Sequence, residues 1–191
     1  MKNIRLTELG TVSEASEEDV DRAVAAAKAA QPAWAALTVE ERSTCFKKLA
    51  ALVRKHNDEL ARLEALSMGK PVSTYIDGHA FSFMFDYYSE AGYNIQGTSS
   101  LNTPGFVNLT FRQPYGVVAV IIPWNVPLLF FAKKVAPALT VGNTVVLKSS
   151  EKAPLAASIT YPTRKRLLTP VSLLKLATSS RKQDFHLELS T

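Results

Sequence analysis

The 191-residue sequence is poor in the residues on which most chemistry-bearing motifs are built. It has one cysteine, Cys45, so an intrachain disulfide framework is excluded. Its three histidines, His56, His79 and His186, show no metal-ligand spacing and form no triad with Cys45, so no metal site is expected. There is no G-x-G-x-x-G, which argues against an ordinary dinucleotide fingerprint. Gly69-Lys70 is not a phosphate loop either: Pro71 stands where Ser or Thr is required, and the preceding glycine of that motif is missing. No apolar run approaches the roughly 20 residues of a membrane span. The opening Met1-Lys2-Asn3-Ile4-Arg5-Leu6 lacks the apolar core of a signal peptide. A cytoplasmic protein is expected, with an organelle matrix as the other compatible compartment.

What is present is ordinary globular composition with uneven charge. Apolar residues make up 47% of the chain, too many for a disordered one. Of the net charge of +5, residues 158–191 carry +4 and residues 1–157 only +1. A nucleic-acid partner would therefore rest on the last segment alone and is not expected.

The strongest pattern runs from Gly116 to Glu151. Val117-Val118-Ala119-Val120-Ile121-Ile122 is an unbroken apolar run, suited to a strand buried on both faces of a parallel sheet. Pro123 stops it. Asn125 is placed to cap a helix, Pro127 suits the first turn, and Leu128 to Leu139 supplies three turns before Gly142-Asn143 breaks it. Thr144 to Leu147 is a second β-branched run. Strand, helix, strand predicts a βαβ unit with a right-handed crossover. Pro123-Trp124-Asn125 and Lys148-Ser149-Ser150-Glu151 then fall at the carboxyl ends of the two strands, the edge at which open α/β sheets bind ligands.

Upstream, the sequence predicts helices. Ser16 precedes Glu17-Glu18-Asp19 as an N-cap with an acidic first turn, and Val20, Ala23, Val24, Ala27 and Ala30 follow at helical spacing. Pro32 lies near that helix's end and Trp34 packs over the junction. Thr38-Val39-Glu40-Glu41 is a capping box, followed by an apolar face of Cys45, Phe46, Leu49, Leu52 and Val53. Asn57 is expected to cap a third helix with Leu60, Leu63 and Leu66 inward and Gly69 as its stop. Phe81, Met84, Phe85 and Tyr88 suggest a fourth, from about Tyr75 to Gly92. Val107, Leu109 and Phe111 alternate as in a half-exposed strand. After Ala157 the chain turns basic and rich in Ser and Thr, with a short helix expected around Val171 to Ala177 in an otherwise disordered tail.

Three separated pieces, GVVAVIIPWNVP, KVAPALTVGNTVVLK and KSSEKAPLAA, occur in the order and spacing of the aldehyde dehydrogenase superfamily, which this sequence resembles from about Thr11 to Ala157. The stretch is most of this chain but only about the first third of a family chain. The resemblance implies an α/β fold: an N-terminal helical layer plus an incomplete Rossmann-like parallel βαβ unit. It implies a partial N-terminal and NAD-binding region at 11–157 and a basic non-family tail at 158–191. It further implies NAD(P)-dependent oxidation of aldehydes to carboxylic acids, in which a cysteine thiolate attacks the aldehyde, hydride passes to the nicotinamide, and a glutamate activates water.

By the same resemblance, Asn125 is the donor that receives the thiohemiacetal oxyanion. Ile121, Ile122, Pro123, Trp124 and Asn125 form the cofactor-contacting turn, and Lys148, Ser150 and Glu151 the ribose end. An acidic group there accepts from a ribose hydroxyl and repels a 2′-phosphate, so NAD is expected before NADP. The bland readings stand beside these: Asn125 as a helix cap, and Lys148–Glu151 as a solvated surface pair. Cys45, on an apolar helix face, does not match the family's nucleophile motif, and the segment with the catalytic glutamate has no counterpart. A truncated fragment, inactive alone, is therefore expected. The alternatives are a noncatalytic partner that pairs with itself or with full-length subunits through the strand at 107–111, as in the family's small pairing sheet, or a nonfunctional truncated product.

Overall fold

The computed structural model describes residues 15–153. The expected features at 11–14, at 154–157 and in the basic tail, including the helix at 171–177, lie outside the described residues. Among the described residues, five α-helices and four short strands follow in order: α1 (Glu17–Ala36), α2 (Val39–Lys55), α3 (Asn57–Met68), α4 (Asp77–Ala91), β1 (Ser99–Ser100), β2 (Asn108–Leu109), β3 (Val117–Ile121), α5 (Pro127–Thr140) and β4 (Thr144–Lys148). This is the incomplete α/β architecture expected from the sequence.

Local chemistry explains most helix boundaries. Ser16 and Asp19 form a capping box at α1, and Thr38 and Glu41 form another at α2. Gly69 ends α3 in the left-handed region, at φ 77°, where a side chain would be strained. Other expectations are corrected. Pro32 does lie near the end of α1, at Ala36, but in the apolar repeat of that helix Val20 and Val24 are exposed while Ala23, Ala27 and Trp34 are buried. Asn57 is the first residue of α3 and not its cap; His56 holds the cap position, and its Nδ1 meets the Glu59 carboxylate at 3.1 Å instead of capping the backbone. Leu66 is 59% exposed, because α3 buries Leu60, Ala61 and Glu64 instead. The alternating segment 107–111 forms only a two-residue antiparallel pairing, Ser99 with Leu109 and Ser100 with Asn108. Val107, Leu109 and Phe111 all project into solvent, since no described element covers this ribbon.

Three of the helices, α2, α4 and α5, meet through one aromatic chain. Phe46 of α2 meets Phe85 of α4 edge-on at 5.2 Å, Phe85 stacks on Phe81 at 4.5 Å, and Phe81 on Phe131 of α5 at 5.7 Å. Buried polar groups tie the layer down. Ser82 Oγ donates to Ala50 O at 3.0 Å, and Thr140 Oγ1 to Tyr88 O at 3.1 Å. Trp34 Nε1 donates to Leu139 O at 3.0 Å, and Thr144 Oγ1 to Ala27 O at 2.9 Å, so α1 is fixed to both ends of the turn between α5 and β4. That turn uses the two residues that break the helix. Gly142 lies at φ 84°, and the Asn143 side chain accepts from Gly116 N at 2.9 Å and donates to Ala138 O at 3.1 Å.

β3 and β4 are parallel neighbours with Val117 opposite Thr144 and Ile121 opposite Lys148. β4 is buried from Thr144 to Leu147. The expectation that 117–122 is buried on both faces is corrected: Ile122 is 2% exposed, but Ile121 is 66% exposed and Ala119 also faces solvent. Among the described residues β3 has one strand neighbour, so its other edge and part of one face have nothing against them.

Candidate functional site

The in-register pairing places two loops side by side. The last rung joins Ile121 to Lys148, and Ile122 N donates to Lys148 O at 3.1 Å. Pro123–Asn125 therefore leaves one strand where Lys148–Glu151 leaves the other, at the carboxyl end of a parallel pair.

Asn125 and Trp124 are exposed at this edge, and Pro123 is half-buried. The helix-cap reading of Asn125 is corrected. Val126 occupies the N-cap position of α5 with no side-chain cap, and Pro127, at the first position, has no N–H to satisfy. The Asn125 amide is thus not drawn toward the helix start. Its –NH₂ group can donate to an oxygen that gains charge during a reaction.

On the neighbouring loop, Lys148 Nζ donates to Glu151 Oε2 at 3.2 Å, with the two side chains 54% and 66% exposed. The carboxyl of Glu151 is held below the usual carboxylate range, first by a hydrogen bond from its own backbone N–H and then by Lys148. The pair is open to solvent, and either partner can turn to another hydroxyl. Ser150 plays a different part from its neighbours: it is buried, its Oγ accepts from Lys152 N at 3.2 Å, and its carbonyl accepts from Ala153 N. It shapes the turn that presents Glu151.

Two groups escaped the sequence reading. Lys134 of α5 extends its ammonium to Ile121 O at 2.5 Å, at the rung opposite Lys148, and lies 5.7 Å from the Phe130 ring centre. Its signal was its position two turns into the crossover helix, on the solvent side beside Lys133. Glu64 is the other: it is fully buried on α3, and Asp77 and the backbone N–H of Leu128 at the start of α5 both bear on its carboxyl, though neither oxygen completes a hydrogen bond. Its signal was its place four residues after Leu60, on the inward face of the helix.

Cys45 is not part of this edge. It sits half-buried on α2 against the helical core, and burial pushes its thiol up, away from the thiolate a nucleophile needs. Among the described residues no group of His, Cys, Asp and Glu is arranged to hold a metal ion.

The model of the aldehyde dehydrogenase family matches residues 2–184, running past position 157 into the basic segment. Aldehyde dehydrogenase 1 of Tanacetum cinerariifolium is 43% identical over 151 residues, covering 77% of this chain and 30% of the relative. The crystal structure of PnpE in complex with nicotinamide adenine dinucleotide superposes with a TM-score of 0.72 at 40% identity, covering 84% of this chain and 31% of that one. An NADP dependent enzyme of E. coli superposes with a TM-score of 0.76 at 33% identity, covering 88% and 33%. The chain spans about a third of the length of the proteins it matches. By family match, sequence identity and fold, the chain belongs to the aldehyde dehydrogenase family.

Proposed function

We propose that the β3–β4 edge is the cofactor-recognition part of an NAD-linked aldehyde dehydrogenase, and that these 191 residues by themselves recognise the dinucleotide without oxidising aldehydes. The observation that carries this is the parallel register of Ile121 with Lys148, which brings the Pro123–Asn125 turn and the Lys148–Glu151 loop to one edge. The residues fit a dinucleotide: a ribose would be held by Lys148 as donor and Glu151 as acceptor, and the turn at Ile121–Asn125 would line the path toward the nicotinamide. A nicotinamide held there would supply the hydride acceptor, and the chain's own contribution would be the Asn125 amide as a donor to the aldehyde oxygen. The aldehyde itself, and pairing with full-length subunits, belong to the whole protein. Residues 158–191 are a tail outside the cofactor-binding region. NAD is favoured over NADP because Glu151 would oppose a 2′-phosphate.

Inactivity of the chain alone rests on Cys45, whose thiol is withdrawn into the helical layer. Turnover of benzaldehyde with NAD that is lost in Cys45→Ser would refute that half of the reading. Recognition is tested by NMR titration of NAD and NADP. Lys148→Ala should weaken NAD by roughly tenfold or more, as loss of a charge-assisted hydrogen bond does. Glu151→Ala should narrow the difference between NAD and NADP. Identical responses from wild type and both variants would reduce the pair to a surface ion pair.

A second reading has its own observation. Val107, Leu109 and Phe111 are 64%, 58% and 77% exposed on a two-residue ribbon with an open edge. A chain of this kind could act without catalysis, pairing through that edge with another subunit. Co-purification with a full-length family member, abolished by Leu109→Pro, would favour it.

A further inference from the structure

Behind the candidate edge lies a buried polar cluster that the proposed function does not use. Glu64 is fully buried, and neither carboxyl oxygen completes a well-formed hydrogen bond. The Asn57 Oδ1, which lies against Gly78, and the Tyr75 hydroxyl, which feels the Glu64 charge, are also buried and unpaired. Asp77 is buried, and Lys70 Nζ donates to its Oδ2. Such groups are rare in a protein interior, because each forfeits its hydration.

The start of α5 explains why a carboxyl stands there. A helix leaves its first N–H groups without partners. Val126 brings no capping side chain, and Pro127 has no N–H, so Leu128 N–H is the first donor in need of an acceptor. Pro127 and Leu128 are both buried, so water does not reach it. The group facing Leu128 N–H is Glu64, from a helix more than sixty positions earlier in the sequence.

We propose that Glu64 is a positioning residue for the candidate site: its carboxyl, held between Asp77 and Leu128 N–H, fixes the start of α5 and with it the Trp124–Asn125 turn three residues upstream. This rests on the reading of Asn125 and Trp124 as cofactor-site residues. Protonated, Glu64 presents its O–H to Asp77 and its other oxygen to Leu128 N–H, the two groups that bear on its carboxyl. Lys70 and Asp77 then cancel, and the buried cluster is neutral, the arrangement of least desolvation cost. The titration of Glu64 follows: burial first, and then the Asp77 charge, push its carboxyl up to about 8, against the smaller opposing pull of Lys70 and Leu128 N–H. Burial, and then the charges of Glu64 and Asp77, push the Tyr75 hydroxyl up as well. Loss of the Glu64 proton places two like charges together and disturbs the contact with α5.

The test uses the 191-residue chain, amide NMR and one isosteric variant. In wild type, the Leu128 amide, the Trp124 indole N–H and the Asn125 side-chain amide should shift together between about pH 6 and 10, with a common midpoint near that of Glu64. Glu64→Gln keeps a donor for Asp77 and an acceptor for Leu128 N–H and cannot titrate. It should hold all three signals near their low-pH positions, and leave NAD affinity within about twofold. Glu64→Ala should displace the same signals at every pH and weaken NAD by about fivefold or more. If Glu64→Ala does not fold, the wild-type and Glu64→Gln titrations decide. Persistence of the shifts in Glu64→Gln, or movement of Leu128 while Trp124 and Asn125 stay fixed, would overturn the proposal. A wild type that shows the coupled shifts but no NAD response would refute the cofactor reading and leave the positioning role standing.

Discussion

β3 and β4 are made of nearly the same residues and meet opposite fates. Val117-Val118-Ala119-Val120-Ile121 and Thr144-Val145-Val146-Leu147-Lys148 are paired rung by rung. Every apolar residue of β4 is buried, while Ile121 and Ala119 of β3 face solvent. Composition selects a strand; neighbours select whether it is covered. β4 has β3 along one edge, α1 through the Thr144–Ala27 bond, and α5 behind it. β3 has a strand on one side only among the described residues. The open flank is also the side on which Lys134 reaches the Ile121 carbonyl.

The difference can be broken most severely at β4. Val145→Asp would bury an unpaired carboxylate and should cost more than about 4 kcal/mol, enough to unfold a marginal domain. Ile121→Asp, one strand away, should change stability by no more than about 0.5 kcal/mol. Denaturant midpoints of the two variants check this, and equal losses would mean that β3 is covered in solution.

Next in size is the pH dependence of the buried layer behind the strands. The carboxyl of Glu64 is raised to about 8 in the folded chain, so the folded state keeps a proton that the unfolded state releases at ordinary carboxylate pH. Stability is then greatest in mild acid and falls as pH climbs to about 8, by a few kcal/mol at about 1.4 per pKa unit. Denaturation of wild type across this range should show the fall, and Glu64→Gln should be nearly flat. Smaller again is the effect of the open edge on association. Ile121→Lys places a charge on an apolar strand edge and should lower the sedimentation-detected oligomer fraction without shifting the melt. The smallest effect belongs to Lys134→Ala, about 0.5 kcal/mol or less for a solvent-exposed contact.

The same contrast marks what the sequence made legible. Features governed by residues close in sequence are read without difficulty: the capping boxes at Ser16 and Thr38, the left-handed stop at Gly69, and the βαβ order around Pro123 and Gly142. Failures occur where a distant segment decides. Asn57 and Asn125 have the chemistry of helix caps, but Asn57 is the first residue of its helix and α5 starts at Pro127 behind Val126 with no side-chain cap. Leu66 looked inward by spacing, yet α3 turns Glu64 inward instead. Ile121 looked buried because its run is apolar, and no local signal says which strands adjoin it. The candidate edge was legible as a place, since both loops follow strand ends. The solvated Lys148–Glu151 pair and the turn-forming role of Ser150 were not, because both depend on side-chain directions after the strand ends.

Cofactor recognition at the carboxyl edge of the parallel pair is tested most directly by mapping amide shifts of the 191-residue chain during NAD titration. If this edge is the site, the largest changes fall together on residues 121–125 and 148–151, with the β1–β2 ribbon and the α1 surface unmoved. Changes confined to one of the two loops, or spread over the ribbon while both loops stay still, would contradict it.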